Sequence, residues 1–435
     1  MSADAGPLTG LSFDDALAAV LTLTAHRTVS QDVVALDQAM GRALAAPVIS
    51  RVSLPPWDNA GMDGYAVQRS DVLGANAQRP VLLPVIGISV AGADAGALPW
   101  VQRGTAVQIM TGAPLPPGAD AVIRVEDTDG GIERVAVTSD RDATGRSNVR
   151  PRGEDITSGH EVFAAGTTLQ AAHLGVLASV GAATVAVHRR PRVAIVTSGD
   201  ELVMLDGFSE VEAGRRIVSS SSYALPALLR AAGADVITMP LVPDTLADLT
   251  AAMSQALDAN CDLLVTTGGI SVGAHDYTRE ALRALGGEQQ FWRARIRPGG
   301  PIGMGRVRDV PWIGLPGNPV STMVTAMLFA WPLLRQLGGH AATHHVRVPV
   351  CMKDAMDTPA PLTYFVRVVV RAGATGHLEA RLAGAQGSNL MRTMALVNAL
   401  LVVPDEQRRV VAGDLLSAIL LPDAPLMMPG IPTND

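Results

Sequence analysis

The sequence predicts a multidomain α/β protein: a central doubly wound parallel-sheet domain, N-terminal mixed and β-rich lobes, and a small C-terminal β-barrel-like domain. Three observations support this. From Pro191 to Leu337, apolar runs of buried-strand type alternate with helical patterns of about 10–15 residues, the rhythm of βαβ units. The strand runs lead into turns rich in Gly, Ser and Asp, where open α/β sheets place their ligands. Outside that span the apolar runs are short and divided by Gly, Pro and Asp, as in sheets without crossover helices.

Taken in chain order, Ser12 and Asp15 form a capping-box pattern before apolar residues at helical spacing, so a helix runs from about 13 to 26. The runs 81–88, 106–110, 121–125 and 132–137 read as strands of a β-containing lobe over 51–149. That lobe is inserted in a mixed domain of 8–50 and 150–189, which holds a helix near 171–180. The α/β domain, 190–338, has strands at 192–197, 234–239, 262–267 and 310–314. Its helices run from the serines at 219–222 to 232, from Asp244 as cap to 260, from 276 to 285, and from Val320 to the glycines at 338–339. Runs at 346–352, 362–370, 377–382, 399–403 and 415–421 make the last domain, 339–425.

Composition narrows the function. At 435 residues the chain has room for roughly two to four domains. Hydrophobic residues at 48% and charged ones at 17% suit globular cores, and a net charge of −7 argues against broad nucleic-acid binding. Cys261 and Cys351 have neither zinc nor disulfide spacing, which suits the reducing cytoplasm. The N-terminus has no signal-peptide pattern. The uncharged stretch Val310–Leu334 contains four prolines, and its helical part of about 15 residues falls short of the ~20 needed for a membrane span.

Five segments carry candidate chemistry: Leu54–Ala66, Met110–Val122, Thr197–Leu202, Thr266–Tyr277 and Gly314–Ser321. In the fourth, Gly268 and Gly269 follow a strand, and successive amides at such a turn make an anion site. Asp276 reads either as a plain N-cap or as a ligand, and Glu201 either as a solvated turn acid or as a ligand. Together, on adjacent strand ends, they suit a divalent cation bridging phosphate oxygens. Gly269-Ile270-Ser271-Val272-Gly273 also matches a nucleophile elbow, so a serine hydrolase using Ser271, with Asp309 and one of His340, His344 or His345, is an alternative. Arg293, Arg295 and Arg297 alternate on an extended run and so share a face, whether toward a ligand or toward solvent.

Taken together the segments resemble the molybdopterin molybdenumtransferase family, the MoeA type that includes the E domain of gephyrin. The matching elements are Asp58-Asn59 with Met62–Ala66, Thr111–Asp120, Arg152–Asp155, Thr197–Leu202, Gly268–Tyr277, Leu315–Ser321 and Gln386–Ser388, in one colinear order. The resemblance implies a homodimeric transferase that inserts molybdenum from molybdate into adenylylated molybdopterin and releases AMP, with Mg2+ as cofactor. A molybdopterin adenylyltransferase is implied as a partner, and neither nucleic acid nor membrane. Asp63, Glu201 and Asp276 take the family's catalytic positions, with Glu201 and Asp276 toward the metal and Asp63 toward the partner subunit's site. Substrate contacts fall on Thr111, Ser198, Gly199, Asp200, Gly268, Gly269, Ser271, Gly273, Pro316, Gly317, Asn318, Pro319 and Ser321. Oxyanion contacts fall on Arg297, Pro301, Arg367 and Ser388.

The chain departs from the family at Gly300, where a second lysine usually follows Arg297-Pro298-Gly299. Arg295 is a candidate substitute, and a divergent paralogue handling tungstate or serving as a pterin-binding scaffold is a further alternative. Asn398-Ala399 replaces the family's Asn-Gly, which is expected to alter a turn.

Overall fold

The computed structural model describes residues 10–25, 27–145, 147–269, 277–373 and 376–422. Its central sheet has six strands in the order Asp235–Thr238, Arg192–Thr197, Leu263–Thr267, Val310–Leu315, Pro301–Val307 and Glu288–Arg293. The first four pair in parallel, as the alternating pattern predicts. The last two run antiparallel and are not apparent in the sequence: Gly303 and Gly305 dilute the strand pattern of one, and Glu288, Gln289 and Gln290 make the start of the other polar. A two-residue turn at Arg308 and Asp309, both with positive φ, closes the hairpin that reverses the chain.

The three inner parallel strands are buried on both faces, whereas the edge strand Asp235–Thr238 is half exposed. Val193, Ile195, Leu263, Val265 and Ile313 turn toward helices Ser221–Ala231 and Pro319–Leu337. Ala194, Val196, Leu264 and Trp312 turn toward Leu246–Asp258 and Tyr277–Ala284. Leu246–Asp258 is capped by Thr245, whose hydroxyl accepts from the Asp248 amide, so Asp244 is not the cap expected from the sequence. Five residues, Ala326–Ala330, form a π-helical turn within the last helical stretch, and the Met327 carbonyl there is bonded by His345. No helix among the described residues is long and apolar enough to cross a membrane.

Helix Phe13–Thr22 forms with Ser12 as its cap, but it does not pack with the lobe that follows it. Phe13, Ala16, Leu17 and Val20 enter the core of the α/β domain. The N-terminal mixed lobe pairs Gln31–Ala35 with Thr184–His188 and Val48–Ile49 with Glu161–Phe163, around helix Ala171–Ser179. The inserted lobe is a five-stranded sheet in the order Ala121–Arg124, Gly64–Val67, Ala106–Ile109, Val81–Ser89, Arg134–Val137.

The C-terminal domain closes as a barrel of Thr363–Ala372, Leu378–Leu382, Arg347–Met352, Leu415–Leu420 and Ala399–Val403, whose first and last strands also pair with each other. A short strand of the α/β domain, Ile296–Arg297, pairs with Thr363–Tyr364 and stitches the two domains together. Asn398 and Ala399 form no turn, contrary to the sequence expectation: Ala399 opens a barrel strand, and the Asn398 amide bonds both the N–H and the carbonyl of Val370.

Where the N-terminal lobe meets the α/β domain, the His340 ring bonds the Thr168 hydroxyl at 2.7 Å beside Arg335. Burial, then Arg335 and His188, push the pKa of His340 down to about 3; burial, partly offset by the Met327 carbonyl, pushes His345 down to about 4. Both rings are therefore held neutral in the folded chain. The unfolded chain takes up their protons as pH falls below about 6.5, so their contribution is full at neutral pH and lost toward acid. Between pH 7 and 5 stability should fall by about 2 kcal/mol per histidine. Thermal unfolding across that range should show the slope, and His340→Gln with His345→Gln should flatten it.

Candidate functional site

Register builds the site. Thr197, Thr267 and Leu315 stand side by side across three parallel strands, so the three strand-end turns emerge together. The Thr267 hydroxyl donates to that of Thr197 at 3.2 Å, which satisfies two buried polar groups at the floor. Above them Ser198-Gly199, Gly268-Gly269 and Pro316–Pro319 converge on a cleft of about 390 Å³, with Glu201 on its wall. Gly268 has φ +87°, and a Cβ there would stand 2.6 Å from the Ser198 carbonyl oxygen, so one turn can approach the other only through glycine.

Two groups in this cleft escape the sequence reading. Asp244 lines it, and its carboxylate accepts from the Asp200 amide at 3.3 Å while the Asp200 carboxylate accepts from the Asp244 amide at 3.1 Å. Ser219, Ser220 and Ser221 add hydroxyls opposite the glycine turns. The available signal was position: Asp244 follows the strand paired with Arg192–Thr197, next to Val242, which bridges Ser198. Asp200 braces the turn in this way and does not itself line the cleft. Ser271, Gly273 and Asp276 lie outside the described residues.

A second cleft, of about 670 Å³, adjoins the first through Pro301 and Asn318. Arg293, Arg295 and Arg297 line it, with exposed arginines alternating with buried Ala294 and Ile296, as extended geometry requires. Ser321 and Ser388 face the same space. The arginines are not equivalent. Arg295 forms an ion pair with Asp405 of the barrel at 3.5 Å, and Arg297 lies 5.9 Å from the Tyr364 ring centre. Arg367 does not line the cleft; it is buried beneath it.

Asp63 and Thr111 are brought together in the inserted lobe. One Asp63 oxygen accepts from the Thr111 amide at 2.6 Å and from its hydroxyl at 2.7 Å, which lowers the Asp63 pKa below the ordinary carboxylate value. Neither residue lines the two clefts. The nucleophile of the hydrolase alternative, Ser271, is among the residues not described; of its candidate partners, His344 bonds the neighbouring Thr343 hydroxyl. Asp309 sits in the hairpin turn, His340 bonds Thr168, and His345 bonds the Met327 carbonyl.

Among the described residues no group of three or more His, Cys, Asp or Glu could hold a metal ion. Glu201 and Asp244 nevertheless offer hard carboxylate oxygens on one cleft. Magnesium characteristically uses one or two carboxylates together with substrate phosphate and water, so these residues fit a cation that arrives with its ligand.

Clefts of this kind belong to the α/β enzymes that hold anionic ligands at the ends of parallel strands. Comparison with known proteins narrows that class. Residues 11–181 match the MoeA N-terminal region (domain I and II), 194–336 a probable molybdopterin binding domain, and 350–421 the MoeA C-terminal region (domain IV). The chain is 36% identical over 390 residues to molybdopterin molybdenumtransferase 2 of Mycobacterium tuberculosis H37Rv, covering 88% of this chain and 93% of that one. It is 35% identical over 399 residues to molybdopterin molybdenumtransferase of a Nostoc species, covering 90% and 89%. The crystal structure of a molybdopterin biosynthesis MoeA protein from Pyrococcus horikoshii OT3 superposes with a TM-score of 0.80 at 24% identity, covering 95% of this chain and 100% of that one. The chain belongs to the molybdopterin molybdenumtransferase family and is a transferase of molybdenum cofactor biosynthesis.

The contact between turns gives a direct test. Gly268→Ala should cost roughly 1–3 kcal/mol through its strained φ and the Ser198 carbonyl. Gly317→Ala should cost little, since its Cβ would lie 3.6 Å from the nearest atom, the Gly268 Cα. Denaturant unfolding of the two variants measures the difference; equal stability would mean that the turns are not in contact.

Proposed function

We propose that this chain inserts molybdenum from molybdate into adenylylated molybdopterin and releases AMP. The observation that carries the reading is the pair of joined clefts, one lined by glycine turns, hydroxyls and carboxylates, the other by a row of guanidiniums. The first suits a phosphate-bearing pterin nucleotide. The second suits an oxyanion delivered beside it, at the shared boundary of Pro301 and Asn318.

In this reading Ser198, Gly199, Gly268, Gly269, Gly317 and Asn318 seat the nucleotide with backbone amides and short side chains. Glu201 and Asp276 would hold Mg2+, with Asp244 at hand, and the bound cation would supply charge neutralisation at the pyrophosphate. Arg297, Pro301 and Ser388 receive molybdate, with Arg293 adding charge. Asp63 and Thr111 lie off the clefts of their own chain, which supports a homodimer in which they serve the partner subunit's site. A molybdopterin adenylyltransferase supplies the substrate. Both cysteines are unpaired, in keeping with work in the cytoplasm.

Replacing Glu201 with Gln should leave the fold intact and slow AMP release at least about tenfold, roughly 1.4 kcal/mol of transition-state stabilisation, while raising the magnesium requirement. Release at the native rate would remove Glu201 from the cation site.

The anion cleft gives a second test. A Cβ on Gly300 would stand 3.2 Å from the Ile296 oxygen and 3.3 Å from that of Ala294, and its φ is outside the left-handed region, so a side chain fits with small adjustment. Gly300→Lys should therefore lower the molybdate concentration for half-maximal insertion by about tenfold, one charge-assisted hydrogen bond. Because Asp405 already neutralises part of Arg295, Arg295→Ala should raise that concentration less than Arg297→Ala does. Equal effects in a molybdate titration would mean that the ion pair does not matter.

A further inference from the structure

We infer that Thr322 is a positioning residue for the strand-end turn Pro316–Asn318: its hydroxyl holds Asn318 at the boundary of the two clefts. The inference rests on the reading of those clefts as the nucleotide and oxyanion sites. Asn318 is exposed and lines both spaces. It also stands at the N-cap of the helical stretch Pro319–Leu337, where an asparagine ordinarily turns its side chain back onto the first amides. Among the described residues Asn318 makes no such bond. One amide it would take, that of Val320, donates instead to the Ser388 carbonyl of the barrel at 3.2 Å. The capping duty thus falls to the barrel, and the Asn318 side chain is left for the clefts.

A residue released from capping needs its backbone held by something else. Thr322, 0% exposed, supplies the hold. Its hydroxyl donates to the Pro316 carbonyl at 2.5 Å, and the Asn318 carbonyl lies 3.1 Å away as a second acceptor. The second contact is the ordinary one of a helical threonine, to the carbonyl four residues back. The first is not. Pro316 lies outside the helix, and among the described residues its carbonyl has no other donor. One hydroxyl therefore ties both ends of the turn to the helix that follows it.

Thr325, on the next turn and equally buried, shows the ordinary case. Its hydroxyl donates only to the carbonyls of Ser321 and Thr322, within its own helix. The two threonines make a matched pair, because valine copies the shape of threonine and removes the donor.

Two readouts test the role. The first is amide exchange without substrate at Gly268, which donates to the Leu315 carbonyl where the turn begins, and at Val320 where it ends. Thr322→Val should speed both at least about fivefold, the equivalent of one lost hydrogen bond. The second titrates cofactor formation with adenylylated molybdopterin and with molybdate. Thr322→Val should raise both half-saturating concentrations by a similar factor, at least about fivefold, with little change in the rate at saturation. Thr322→Ser, which keeps the hydroxyl, and Thr325→Val should match wild type in both readouts. The inference fails if Thr322→Ser behaves like Thr322→Val, since packing and not the hydroxyl then matters. It fails also if Thr325→Val has an equal effect, if only one of the two substrates responds, or if Thr322→Val changes nothing. Should Thr322→Val not fold, Thr322→Cys, with a weak thiol donor in the same place, must show the same two changes. A wild-type protein that releases no AMP would overturn the reading of the clefts, and exchange, read without substrate, would still judge the turn.

Discussion

The register of three parallel strands governs the rest of the molecule. Val193 pairs with Leu263, and Leu264 with Trp312, and that spacing is carried up to Thr197, Thr267 and Leu315. A slip of one residue would turn the core-facing side chains of a strand to its opposite face and separate the turns that make the cleft. Buried hydrogen bonds hold the register where hydrophobic packing alone tolerates a slip: Thr267 to Thr197 across one pair, and the Trp312 indole to Thr266 at 3.1 Å across the other. Once the strands are in register, the glycine turns have little freedom left, because each stands against its neighbour's backbone.

A second constraint couples the domains. The extended run after Arg293 serves two masters, since Arg293 ends a strand of the central sheet and Ile296–Arg297 pairs with the barrel. The arginine row therefore sits on backbone held from both sides. Arg295 extends the coupling through Asp405, and Ser388 returns it from the barrel to Val320. The anion cleft is thus a property of the joint between domains, and neither domain alone would make it.

Much of this was legible in the sequence. The strand Arg192–Thr197, the helix after the serines at 219–222 and the barrel strand Ala399–Val403 fall close to where apolar runs and turn residues place them. The glycine turns were recognisable because strand-to-helix glycine has a backbone reason to exist. Three kinds of feature were not legible. Of the two antiparallel strands, Pro301–Val307 is diluted by glycine and the edge strand Glu288–Arg293 opens on polar residues. Asp244 becomes a cleft residue only when a strand distant in sequence lies beside it, and its local pattern reads as a cap. Arg367 looks like a cleft residue by motif, but its burial depends on how the barrel closes. Pairing and burial of charge are tertiary facts, and periodicity does not encode them.

Helix Phe13–Thr22 has a consequence for biogenesis. Its apolar face is completed by the far end of the α/β domain, up to Leu337, and by Phe365 of the barrel, whose ring centre lies 4.9 Å from that of Phe13. At about 5–20 residues per second, the helix leaves the ribosome tens of seconds before those partners exist. During that interval Phe13, Leu17 and Val20 have no native surface to cover them, while the lobes in between can collapse on their own. This early helix is among the last to be buried. It is the natural handle for a chaperone during synthesis, and a bulky fusion close to it would burden assembly of a domain far away in sequence.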